Sequence, residues 1–358
     1  MIGRFLWLAT LLAVIAPAVA ADRASAVPGS TNAASGPSRH PVSQDTRPSM
    51  DIAGRAGAAD WLMRINDAAR NQDYDGVFVY LRGRQLETLR IVHKVEGQHR
   101  RERLISLTGT PREIIRTDQM VVCYLPDENS VVAEHRKTSR AGFPAILPER
   151  LAIMERYYRL SLGGHGRVAG REAQLVLIEP RDALRFGYRL WADRQTGLLL
   201  RSDLLDPQGQ MLEQFMFTHL LTGREVSAEA LKPQTQARGY RWHRETLDPP
   251  AAAGAPRWDV RPLPPGFRLA SHVHRRSPVR QVAVEHLVYS DGLATVSVFV
   301  ERLPERGAMQ GPSRLGAVHA YGRQVSGHQV TVVGEVPAET VRRFAGALVP
   351  AKARVASP

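Results

Sequence analysis

Twelve histidines and one cysteine are the residues of this 358-residue chain with the most chemistry available to them. His272 and His274 stand two apart, so on a strand they would point to the same side, and His286, His319 and His328 fall in stretches that read as neighbouring strands. Imidazoles in such positions can hold zinc. No acidic or cysteine ligand stands at a suitable short spacing, however, and the sequence has no HExxH. These residues therefore read as scattered polar or core histidines, and no metal is expected; His135 and His165 read as surface and loop residues. Cys123 sits in an apolar run with no local base, which makes it an inert core thiol. There is no G-x-S-x-G, and no S-x-x-K beside a matching base. Gly163-Gly164-His165-Gly166 follows no βαβ pattern and lacks the lysine of a phosphate loop. No catalytic residue and no cofactor is expected, and the chain reads as a binding protein and not as an enzyme.

The first residues point to export. Arg4 supplies a charged n-region, residues 5–15 an apolar core, and Ala18-Val19-Ala20 a small-x-small cleavage site. No cysteine follows to carry a lipid anchor, no later stretch is apolar enough to span a bilayer, and a lone cysteine leaves no internal disulfide. The expectation is a soluble protein outside the cytoplasm. Lysine and arginine outnumber acids by 48 to 35, a formal charge of +13. Outside the cytoplasm such a charge suits acidic protein segments, phospholipid headgroups or lipopolysaccharide phosphates. The arginines are scattered without a basic block or interleaved aromatics, so nucleic acid is not expected.

The elements that would position a binding site are mostly strands. Residues 1–20 read as signal peptide and 21–57 as a disordered leader rich in Ala, Ser, Pro and Gly. A helix is expected from Asp60, with Trp61, Leu62, Ile65, Ala68 and Ala69 at helical spacing. A meander of strands follows at 77–82, 86–95, 100–107, 112–117, 120–125 and 131–135, separated by turn residues. Residues 141–158 read as a small helix or lid. Strands resume at 157–162 and 172–179 and end in a triplet over 186–221, whose turns close on Gly197 and Gly209. The last of these strands is apolar on both sides: Met211, Phe215 and Phe217 on one, Leu212, Met216 and Leu220 on the other. Half-buried antiparallel strands alternate apolar with polar, so this one reads as the wall of a greasy cavity. The first domain is set at 58–221, a linker at 222–257 and a C-terminal α+β domain at 258–350, with strands at 268–274, 282–289, 293–301, 317–325 and 328–334 and a last helix after Pro337.

Five stretches together carry a resemblance: NDAARNQDYDGVFVY at 66–80, LWADRQTGLLLRSDLLDPQGQMLEQFMF at 190–217, WDVRPLPPGF at 258–267, VYSDGLATVSV at 288–298 and VTVVGEVP at 330–337. In this order they resemble the MucB/RseB family of periplasmic negative regulators of an envelope-stress sigma factor. The resemblance implies a fold that is α+β and mainly antiparallel β: a LolA/LolB-like incomplete barrel with covering helices, plus a small C-terminal α+β domain. It implies a soluble periplasmic protein that binds the periplasmic part of an RseA/MucA-type anti-sigma factor and shields it from proteolysis, with release by lipid or lipopolysaccharide. A homodimer stays open. The expected acyl-chain contacts are Trp191, Leu204, Phe215 and Phe217, with Arg189 and Arg201 at a rim, and the expected partner contacts are Tyr289, Asp291 and Leu293. The alternative is a periplasmic lipid or lipoprotein carrier with no sigma-factor role. A hydrolase would need a nucleophile that the sequence does not offer.

Overall fold

Apolar residues every three to four positions make the first helix one-sided. In α1 (Ile52–Asn71), Leu62, Ile65, Ala68 and Ala69 are all buried, as their spacing requires. The computed structural model describes residues 52–135, 151–223, 226–245, 255–276, 282–303 and 308–351. The expected signal peptide, most of the expected leader and residues 141–150 of the expected lid lie outside the described residues. Among the described residues no helix is long and apolar enough to cross a membrane.

Two runs of strands build the first sheet. The first run is β1 (Tyr74–Arg82), β2 (Gln85–Glu96), β3 (His99–Ser106), β4 (Glu113–Arg116), β5 (Met120–Leu125) and β6 (Ser130–His135). After helix α2 (Leu151–Tyr157) come β7 (Tyr158–Val168), β8 (Arg171–Pro180), β9 (Gly187–Asp193), β10 (Leu199–Leu205) and β11 (Met211–Thr222). Each run is an antiparallel meander, and β1 pairs with β11, so the runs join at their first and last strands. With β12 (Arg241–Glu245) the order is β12-β6-β5-β4-β3-β2-β1-β11-β10-β9-β8-β7. The sheet is open, mainly antiparallel, and carries α1 across β7 and β8 on one face, in line with the expected incomplete barrel.

Register corrects the reading of β11. Leu204 pairs with Glu213 and Leu205 with Met211, which leaves Leu212 as an extra residue. Val77 pairs with His219 and Phe78 with Phe217, which leaves Thr218 extra. Each bulge reverses the side on which later residues fall. Leu220 thereby joins the face of Phe215 and Phe217, and Leu212 packs into the cluster under α1. The other face keeps Met211, Met216 and Leu221, none of them buried, so the apolar residues are regrouped and the buried set is that of Phe215, Phe217 and Leu220, with Leu212 beside it.

Residues 226–245, assigned from the sequence to a linker, are built onto this sheet. Val226 and Leu231 cover Val92. The buried ion pair Arg103–Glu113 (2.5 Å) anchors the segment: Arg103 donates to the Ala230 carbonyl, and Glu113 accepts from the Gln234 and Thr235 amides. β12 then adds to β6 in parallel.

The second domain opens on β13 (Trp258–Val260), which pairs with β20 (Leu348–Pro350). Between them β14 (Arg268–Arg276), β15 (Ala283–Ser290), β16 (Thr295–Arg302), β17 (Gly311–Leu315), β18 (Val318–Val325) and β19 (His328–Gly334) form a sheet in the order β14-β15-β16-β19-β18-β17. Helix α3 (Ala338–Ala347) buries Val341, Phe344 and Ala345 on one face of it, against Leu287, Tyr289, Val296, Val298, Val330 and Val332.

Candidate functional site

Side chains alternate across a strand, and pairing fixes which of them share a side. Leu190 lies beside Val176 and Ser202, and Ser202 beside Phe215. This row faces α1, together with Leu204 and Phe217. Phe78 and Phe215 meet at 4.8 Å, Phe215 and Phe217 at 5.1 Å, and Phe217 turns an edge to Tyr74 at 6.4 Å. Leu204, Phe215 and Phe217, three of the expected acyl contacts, thus lie on the face toward α1, Leu204 in the cluster with Leu62 and Ile65 and the two phenylalanines in the cluster with Ala68.

Trp191 falls on the alternate side of its strand, paired with Arg201 and Leu175. Its ring lies over Gly166, where a Cβ would come within 2.6 Å, and it packs half-buried against the margin of the cluster that holds Phe215 and Phe217. Arg189 is exposed on that same side, and Arg201 forks onto Asp203 with bonds of 2.9 and 2.8 Å. Sequence spacing could not show this, because pairing decides which strands bring their odd and even positions together.

A polar group ends the aromatic wall. Tyr74 stacks on His93 at 4.9 Å and 15°. The His93 Nδ1 lies 2.8 Å from the Gln72 carbonyl, and its Nε2 lies 3.9 Å from Glu102, which accepts from Arg116 at 2.9 Å. Burial pushes the Tyr74 phenol well above its ordinary value, so it stays protonated. The aromatic row ends here in a guanidinium, a carboxylate and an imidazole, while the buried Glu213, which accepts from the Tyr80 hydroxyl, stands on the same face between Phe215 and Leu204. Cys123 offers no nucleophile, since burial pushes its thiol up to about 11.

The residues expected to meet a partner are placed elsewhere. Tyr289 is core: its ring packs at 5.2 Å on Phe344, and burial pushes its phenol up to about 12. Asp291 and Leu293 sit in the hairpin between β15 and β16, and this hairpin is pressed against the first domain. Leu293 joins the cluster under α1. Asp291 Oδ1 accepts the Leu293 and Ala294 amides, while Oδ2 accepts the Tyr158 hydroxyl at 2.9 Å and Arg185 Nη1 at 2.6 Å. The correction has a physical cause. A carboxylate that closes its own turn with one oxygen has the other free for a charge behind it.

Arg185 is fully buried, with every nitrogen in use. Nε donates to Asp182 and Nη2 to the Pro265 carbonyl, and the rings of Tyr157, Tyr158 and Phe267 stand 4.9 to 5.5 Å from the guanidinium. Thr340 of α3 donates to the Leu184 carbonyl at 2.7 Å, and Gly266 lets the Tyr157 ring approach its backbone. Burial and the adjacent Asp291 push the Tyr158 phenol well above its usual value, which keeps it a donor. Sequence reasoning missed this junction: one arginine among many carries no sign of burial.

Comparison with known proteins fits this architecture. The family model described as MucB/RseB N-terminal domain matches residues 57–235, and the one described as MucB/RseB C-terminal domain matches residues 252–349. The protein named "Sigma factor AlgU regulatory protein MucB" of Pseudomonas aeruginosa is 38% identical over 299 residues, covering 81% of this chain and 90% of that protein. "Sigma-E factor regulatory protein RseB" of Escherichia coli K12 is 26% identical over 294 residues, covering 79% and 88%. Among solved structures, MucB in complex with MucA(peri) superposes with a TM-score of 0.66 at 35% identity, covering 83% of this chain and all of that one. MucB alone gives 0.59 at 34% identity, covering 83% and 99%.

Proposed function

The chain belongs to the MucB/RseB family, and from that premise we propose that it is a periplasmic regulator that binds the periplasmic segment of a membrane anti-sigma factor of the MucA type. By holding that segment it protects it from proteolysis and restrains the sigma factor. The observation that carries this reading is the match to MucB over both domains, including the structure that holds MucA(peri). Binding, not turnover, is the activity of this reading.

The second part of the proposal is a lipid or lipopolysaccharide acyl chain on the wall of Leu204, Phe215 and Phe217, with its head toward His93, Glu102 and Arg116. Supporting it are the aromatic run and the charged groups that end it. A ligand that favours the released state shifts the complex only by its differential affinity for the two states. The carrier reading has less support, because a carrier needs no second domain, and here that domain is tied to the first through a buried ion pair.

The test is calorimetric titration of the chain with the periplasmic segment of a MucA-type anti-sigma factor, repeated with lipopolysaccharide. A saturable complex that protects the segment from protease, weakened by lipopolysaccharide, is expected. Lack of binding by the intact chain overturns the regulator reading. A complex indifferent to lipopolysaccharide overturns the lipid part alone.

A further inference from the structure

His272, His274 and Glu285 come together in the second domain, far in sequence from the wall and the junction. On β14 the two histidines alternate onto the same side, and Glu285 of β15 lies directly opposite His274. One ligand atom from each can be chosen so that all lie within 4.8 Å of one another. The His272 Nε2 is already 3.0 Å from Glu285 Oε1, and the two imidazoles stand at 80° with centroids 4.8 Å apart.

The surroundings favour a cation. Glu285 is buried, shares its face with Leu287 and Tyr289 of the apolar core, and pairs across with Val300. A carboxylate in such a place is costly unless a positive charge or several donors satisfy it. Its Oε1 takes the Arg257 amide as well as His272. β14 is the edge strand of its sheet, so the cluster borders the core on one side and is open to approach on the other.

We propose that His272, His274 and Glu285 form a zinc-binding site. Two imidazole nitrogens and one carboxylate oxygen are a donor set that zinc takes in tetrahedral sites, with the fourth position left to water. Zinc–ligand bonds of about 2.0–2.2 Å place ligand atoms roughly 3.4 Å apart. The cluster reaches that spacing by a small contraction, chiefly of His274 toward the His272–Glu285 pair. Zinc here staples the edge strand β14 to β15 and, through the Arg257 amide, to the segment by which the chain enters the domain.

The sequence alone did not indicate the site. Glu285 stands eleven residues beyond His274, outside the short spacings of familiar zinc motifs, and only the pairing of β14 with β15 brings it into line.

The experiment is calorimetric titration of the untagged full-length chain with zinc chloride, with native mass spectrometry for stoichiometry. One zinc per chain with micromolar or tighter affinity is expected. His274→Ala should weaken it by at least about tenfold, a loss seen even for outer partners of zinc ligands. His165→Ala, at an exposed histidine of β7, should leave it unchanged. His272 already holds Glu285, so His274→Ala is the decisive variant, and its metal-free circular dichroism must match the parent. Should it misfold, zinc-edge X-ray absorption of the loaded parent decides: two imidazoles in the coordination shell support the site, and fewer overturn it. Absence of micromolar binding, or binding that a folded His274→Ala variant retains in full, also overturns it.

Discussion

The ring of Phe217 lies on the backbone of Gly76 so closely that a Cβ at residue 76 would stand 2.5 Å from it. Glycine is needed here for space. Phe217 also touches Tyr74, Phe78 and Phe215, so it has little freedom to yield. Gly76→Ala should destabilise the first domain by about 1–3 kcal/mol, the usual cost of overfilling a packed site. Urea unfolding measures it. Pairing Gly76→Ala with Phe217→Leu should recover part of the loss, and two losses that simply add would show that the contact is not the cause.

The two faces of the sheet should respond differently to lipid. Phe215→Leu trims the wall facing α1 and should weaken displacement of a fluorescent fatty-acid probe several-fold. Trp191→Phe alters the alternate side and should leave displacement unchanged. Equal effects from the two variants would place the ligand somewhere other than this wall.

Asp291 is the counter-charge of a fully buried guanidinium. Asp291→Asn keeps an oxygen for the Leu293 and Ala294 amides but leaves Arg185 with Asp182 as its remaining carboxylate. Removing one member of a buried pair costs about 3–5 kcal/mol, and the lower end is expected because Asp182 remains. The double variant Arg185→Met with Asp291→Asn should regain much of that stability, since no buried charge is then stranded. Denaturant unfolding of the single and double variants checks both statements.

Glu113 gives the segment at 226–235 a dependence on acid. Burial alone would raise its carboxyl, but the combined bonds from Thr235, Gln234 and Arg103 outweigh burial and hold it below its ordinary value. A depressed carboxylate stabilises in full above its unfolded value of about 4.3, and the contribution is lost as pH falls through the lower folded value. Amide exchange in residues 226–235 should therefore accelerate on acidification before that of β1 and β11. Glu113→Gln should remove this pH dependence and make the exchange fast at neutral pH.

The sequence made much of this fold legible, and the gaps have physical causes. Strands with alternating apolar residues and glycine turns, such as β9 to β11 with Gly197 and Gly209 at positive φ, announced themselves. β12 did not, because Arg-Trp-His-Arg-Glu lacks alternation and becomes a strand only by lying beside β6. The aromatic wall was half visible. Phe215 and Phe217 were placed correctly as a pair, whereas Trp191 was assigned to their side because alternation within a strand says nothing about its phase against the next. Bulges at Leu212 and Thr218 reverse the phase again and leave no mark in the sequence. The Tyr289 to Leu293 hairpin looked like exposed turn chemistry, and only tertiary packing revealed Asp291 as the answer to Arg185.

The junction also orders events in time. As the chain emerges N-terminus first, Arg185 is complete long before Asp291, 106 residues later, and the Leu184 carbonyl waits 156 residues for Thr340. Until then the first domain has a charge and a carbonyl that it cannot bury alone. Its final consolidation is therefore expected to await the second domain, with Asp182 the one carboxylate the first domain offers Arg185 by itself. A chain cut after residue 245 should remain open at Arg185 and be cleaved there by trypsin, where the intact chain resists.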